Sequence, residues 1–243
     1  MTAGLLLLSC GLEEYYYLPQ VPQASIITRL NTEATINLPS ISGFYYASNY
    51  SIFYRIYISN YPTESSDNSQ FSSISPNLIN DYNAIFPSTD PTNTSASTSV
   101  NTNFRNRNYF ELCFEDEDIG SLLPSRGGTL SIRFPTQDGN YPVVSLGSFN
   151  NNEEIRICRS SELISPQPRL PTGQPDLFFR NTSGLSSNEN AVATVNADVS
   201  GRSGIQGHAY VSMYIVAVGY DNALFTQIYS KPTHIGVFKL PNM

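Results

Sequence analysis

Residues 50–58, YSIFYRIYI, place Tyr50, Ile52, Tyr54, Ile56 and Ile58 on one side of an extended chain. That period of two belongs to a β-strand, whose successive side chains point to opposite faces. The other face carries Ser51, Arg55 and Ser59, interrupted by Phe53 and Tyr57, so one face is wholly apolar and the other mixed. Such a strand needs a sheet packed on at least one side, and the chain must build a β core around it.

The same alternation recurs at ATINL (34–38), at 108–114, 129–134, 142–149 and 154–159, and near the end at 208–219 and 224–238, joined by Tyr220-Asp221-Asn222. Within TLSIRFP, Leu130, Ile132 and Phe134 face one way, flanked by Gly127-Gly128 and Asp138-Gly139, which supply the positive φ that tight turns need. DLFFR (176–180) and AVATVNADV (191–199) are further strand candidates beyond the proline-dense 165–175. Tyr, Phe, Ile, Val, Thr, Ser and Asn are plentiful and helix-favouring runs scarce, so the expected class is all-β. At 243 residues one enlarged antiparallel sandwich over 23–243 is sufficient. Its large insertion is the Ser/Thr/Asn/Pro-rich stretch at about 59–104, too polar to build a core. One short helix is expected inside it: Leu78, Ile79, Tyr82, Ile85 and Phe86 recur at helical spacing after Ser75 and Pro76, and Pro87 stops them.

The N-terminus reads MTAGLLLLSCG, with an apolar run at Leu5–Leu8, a small Ser9, and no Lys or Arg before Arg29. The run is far too short to span a bilayer as a helix, which takes about 20 apolar residues. Leu7-Leu8-Ser9-Cys10, followed by Gly11, resembles the lipobox of bacterial lipoproteins. That resemblance implies a clipped signal peptide at 1–9, lipid on the Cys10 thiol, and anchoring in the bacterial cell envelope. Residues 10–22, with Pro19 and Pro22, read as a lipidated tether, since proline suits neither helix interiors nor central strands. The acidic, Tyr-rich start and the Asn/Ser-rich body are similar in style to spirochaete surface and periplasmic lipoproteins.

YIVAVGYD followed by IYSKPT resembles the last two strands of fibronectin type III domains, and YSIFYRIYI the Tyr-rich third strand of that fold. The resemblance implies a fibronectin III or immunoglobulin-like sandwich. The chain departs from the pattern in having no Trp and in placing Val211 where the corner Tyr is expected.

A net charge of −7 and the lack of a Lys/Arg cluster argue against nucleic acid, which needs phosphate neutralisation. With Cys10 lipidated, Cys113 and Cys158 remain. Cys113 alternates with Leu112 and Phe114 and shares its side with Glu111 and Glu115, while Cys158 shares its side with Arg156. Both thiols fall on the more polar strand face, compatible with a cross-strand disulfide and equally with two separate thiols. His208 and His234 are the only imidazoles, each at the edge of a predicted strand and read as ordinary surface or hydrogen-bonded rings. Glu115, Asp116, Glu117 and Asp118 are weak metal candidates, because they lack the spaced ligands and central Gly of a calcium loop. Tyr15-Tyr16-Tyr17 and Phe44-Tyr45-Tyr46 read first as packing residues rather than a stacking surface. No HExxH, CxxC or GxSxG motif occurs and no cofactor is implied. The expectation is a lipid-anchored, non-enzymatic binding or structural module with a protein or envelope partner. The alternative is an envelope hydrolase using paired carboxylates.

Overall fold

The computed structural model describes residues 18–29, 32–44, 46–59, 99–114, 126–135, 142–147, 154–158, 199–200, 208–221 and 225–240. Among them the strands are β1 (Ile26–Arg29), β2 (Glu33–Leu38), β3 (Ala47–Ser59), β4 (Phe110–Glu111), β5 (Cys113–Phe114), β6 (Gly128–Arg133), β7 (Val143–Leu146), β8 (Glu154–Cys158), β9 (Val199–Ser200), β10 (His208–Asp221), β11 (Thr226–Tyr229) and β12 (Thr233–Lys239). One α-helix, α1 (Ser99–Asn106), joins them. The first sheet runs β1-β2-β6-β7-β8-β5. The second is built on β10 against β3, with β11 and β12 on the far edge of β10 and β4 and β9 on the far edge of β3. The all-β sandwich expectation holds, with every described pairing antiparallel except β3 with β9.

Alternation decides which residues meet between the sheets. Tyr50, Ile52, Tyr54 and Ile56 of β3 and Val211, Met213, Ile215 and Ala217 of β10 face Ala34, Ile36, Leu130, Ile132, Val144 and Ile157 in one buried cluster. Each fully buried Val, Leu, Ile or Met among them contributes about 1.5–3 kcal/mol of transfer free energy. Phe134 stacks on Phe238 with ring centroids 4.8 Å apart. The β3 face with the mixed pattern is also covered: Phe53 joins Tyr214, Val216 and Val218 of β10 beneath Val100 and Phe104 of α1. Around Phe53, Tyr214, Val216 and Val218 the second sheet is therefore buried on both sides, by the first sheet and by the helix.

Several boundaries differ from the sequence expectation. Leu18 and Val21, at the end of the stretch read as tether, are buried in the core, and Val21 O accepts a hydrogen bond from Thr233 Oγ1 at 2.6 Å. The sandwich thus begins before residue 23 and takes in the tether's last residues. The polar insertion read as ending at 104 instead closes with α1, because Val100 and Phe104 find an apolar face to cover. The helix expected at 76–86 and the strand candidate at 176–180 lie outside the described residues.

The strand expected at 108–114 is two short ones in different sheets. Phe110 and Glu111 pair with β3, Leu112 N–H donates to Ile52 O at 2.8 Å, and Cys113 and Phe114 then pair with β8. The strand expected at 224–238 breaks at Ser230-Lys231-Pro232 into β11 and β12, both on the same edge of β10. Pro232 has no N–H to give the ladder. Buried Ser230 repairs the gap: its Oγ accepts the Ala217 N–H at 2.8 Å, and its own N–H donates to Ala217 O at 2.9 Å.

Candidate functional site

A run of enclosed polar side chains forms where α1 ends over β10. Asn108 takes φ 59 and closes the helix, so that Tyr109 N–H returns to Phe104 O at 2.9 Å and Asn108 N–H to Arg105 O at 2.9 Å. This is a Schellman ending, and the apolar contact that accompanies it is made by Phe104 and Tyr109, with ring centroids 5.7 Å apart. Asn tolerates the left-handed conformation better than most residues, which suits it to this position. The turn sets Tyr109 down on β10, edge-on to Tyr214 at 5.4 Å.

Beneath Tyr109, its hydroxyl donates to Ser212 Oγ at 3.4 Å, and Ser212 Oγ lies 3.3 Å from His234 Nε2. The His234 ring leans on Tyr214 at 4.8 Å, while the Arg55 guanidinium lies over the Tyr109 ring at 5.9 Å. Ser212 Oγ, which accepts from Tyr109, also shares a hydrogen bond with His234 Nε2, and the donor of that bond is set by which ring nitrogen carries the proton. Burial pushes the His234 imidazole down from 6.5 to about 4. Serine catalysis needs a hydroxyl that substrate can reach and a base whose pKa lies near the working pH. Ser212 is fully enclosed and His234 is tuned away from neutrality. The chain of Tyr109, Ser212 and His234 satisfies polar groups inside an aromatic layer, which is its structural task.

That burial has a pH signature. His234 has a folded pKa below its unfolded one, so the unfolded chain takes up the proton first on acidification. Its contribution is complete above about pH 6.5 and is lost as pH falls towards 4, by on the order of 3 kcal/mol. Urea midpoints measured across this range should fall with acid, and His234→Gln should flatten the slope. An unchanged slope would assign the acid sensitivity to another group.

The remaining sequence candidates are scattered. Cys113 and Cys158 stand directly opposite each other in the β5 and β8 register, Cys158 buried and Cys113 half-buried. Phe44 and Tyr46 pack against the core as expected. His208 contributes backbone pairing with Ser59 at the start of β10. Cys10, Tyr15–Tyr17, Tyr45, Glu115–Asp118 and the side chain of His208 lie outside the described residues. Of the described carboxylates, Glu111 of the second sheet accepts from Ser51 Oγ at 2.6 Å, whereas Glu154 of the first sheet is ion-paired with Arg133. These two belong to different sheets and each is engaged locally. No group of three or more His, Cys, Asp or Glu side chains able to hold a metal occurs among the described residues.

Sequence reasoning passed over Ser212 and Tyr109. The available signal for Ser212 was the one small polar side chain inside VSMYIVAV, where the rest of the run is aliphatic or aromatic. It also passed over Phe225, which is 79% exposed at φ 51 just before β11, with half-exposed Tyr220 on the facing strand. A bulky side chain at positive φ is held there only by its surroundings. Neither a family model, nor a curated protein, nor a solved structure matches this chain.

Proposed function

We propose that the protein is a lipoprotein of the bacterial cell envelope, held by lipid on Cys10, whose sandwich acts as a non-enzymatic binding or structural module. The observation that carries this reading is Leu7-Leu8-Ser9-Cys10-Gly11, set eight residues before Leu18, which is buried in the core. Eight residues reach at most about 28 Å, so a lipid on Cys10 keeps the domain close to the membrane. No helix among the described residues is long and apolar enough to cross a membrane, and the anchor in this reading is covalent. Leu18 lies against Gly219, beside the hairpin that carries Tyr220 and Phe225, so the exposed aromatics occupy the tethered end.

The fibronectin III or immunoglobulin-like reading draws support from strand order. In such sandwiches the A, B and E strands lie in one sheet and C, F and G in the other. Here β1-β2-β6 lie opposite β3-β10-β12, while β7, β8 and β5 widen the first sheet beyond that plan. Binding on such a scaffold belongs to its loops and hairpin ends.

Metabolic labelling with a fatty acid tests the anchor. Wild-type protein should carry the label and partition with membranes, and Cys10→Ala should abolish both. Unlabelled wild-type protein, or a Cys10→Ala variant that stays membrane-bound, would remove the lipid from the account.

A further inference from the structure

We propose that Cys113 and Cys158 close an intramolecular disulfide that clasps the edge of the first sheet to the strand crossing over from the second. The register puts the two residues directly opposite, Cys113 with Cys158 and Phe114 with Ile157. Direct opposition in an antiparallel pair sends both side chains to the same face. The backbone fixes the phase. Ile157 N–H donates to Pro142 O on the other side of β8, so Cys158 turns its own groups towards β5. Leu112 N–H donates to Ile52 O of β3, so Cys113 turns its groups towards β8. Cys113 and Cys158 therefore form a hydrogen-bonded pair, whose Cα atoms lie about 5.5 Å apart. Disulfides span about 4.4–6.8 Å between Cα atoms, and this pair falls inside the window.

The location gives the bond its purpose. Phe110 and Glu111 are held by β3, and two residues later the same chain is held by β8. A bond at Cys113 therefore anchors the crossing strand to β8 two residues after it leaves β3. The order of events follows from access. The half-buried Cys113, as thiolate, attacks the disulfide of an oxidant, a small-molecule or protein disulfide, and forms a mixed disulfide while releasing one oxidant thiol. The buried Cys158 thiolate then displaces the second oxidant thiol. Two protons leave the protein, and the two electrons reduce the oxidant's disulfide to two thiols.

The geometry stands apart from the lipid-anchor reading, which supplies only the oxidising compartment. The test uses the full chain carrying Cys10→Ala, incubated with oxidised and reduced glutathione, quenched in acid, unfolded and alkylated. The expected result is a monomer that takes no alkyl group until reductant is added, with a peptide linking Cys113 to Cys158. Thermal midpoints should drop by about 10 °C on reduction, because the bond closes a loop of 45 residues. With Cys158→Ser, Cys113 should be trapped as the glutathione mixed disulfide, and with Cys113→Ser, Cys158 should react at least tenfold more slowly. Two alkylated thiols in fully oxidising buffer, or a bond only between separate chains, would overturn the clasp. A bridge that forms in the buffer but is missing from protein freshly isolated from cells would uphold the clasp and count against the envelope location.

Discussion

Replacing Phe104 with alanine should destabilise the protein by about 3–5 kcal/mol, the range for deleting a buried aromatic ring. Phe104 is fully buried and stacks on Phe53 at 4.2 Å with the rings 5° from parallel, and it also meets Tyr109 and Tyr214. Its loss empties the centre of the contact between α1 and the second sheet. Val100 is then the only buried apolar side chain left on the helix. Eight residues rich in Asn, Ser and Thr do not hold a helix unaided, so helix and contact should fail together. Urea unfolding of the full chain measures the loss, and proteolysis should open first at 99–106. Phe104→Leu, which retains apolar bulk without the ring, should cost clearly less. A loss below about 1 kcal/mol for Phe104→Ala would mean that the helix is not a layer of the core.

Gly127→Ala should cost about 2–5 kcal/mol, combining a left-handed backbone with a collision that nothing can relieve cheaply. Gly127 has φ +79, and a Cβ there would lie 2.8 Å from Leu38 O and 2.8 Å from Ser40 N. Both obstacles are backbone, so the end of β2 would have to move, and with it the Leu38 to Gly128 end of the β2 and β6 pairing. Thermal unfolding of the purified variant decides the matter. Gly43→Ala is the control, because a Cβ there meets nothing within 4 Å and should leave the midpoint nearly unchanged. Equal midpoints for Gly127→Ala and wild type would show that the β2 end yields without cost.

Much of this architecture can be read from residue order. A period of two needs only local chain geometry, so the core faces of β3 and β6 follow from alternation alone, whereas β10 is apolar on both sides and alternation does not choose between them. Gly127 was legible for the same reason, since a residue without Cβ marks a special φ before any contact is known. Phe53 was visible as an exception on the mixed face of β3, although its cause was not. Parity placed both cysteines on the polar side of their strands and said nothing of their adjacency.

Tertiary structure decided the rest, because it depends on partners distant along the chain. SVNTNFRN is a poor helix by propensity and becomes one where Val100 and Phe104 meet the far face of the second sheet, itself assembled from segments more than 100 residues apart. The run from Tyr109 to Phe114 divides between sheets at Leu112 because Ile52 O captures its N–H, a choice that no alternation pattern encodes. Ser212, His234 and Tyr109 come from three elements and meet only through strand pairing and a helix ending. Local sequence determines which way a side chain points along its own strand. Which strand lies beside it is set by the burial and backbone hydrogen bonding of the whole chain at once.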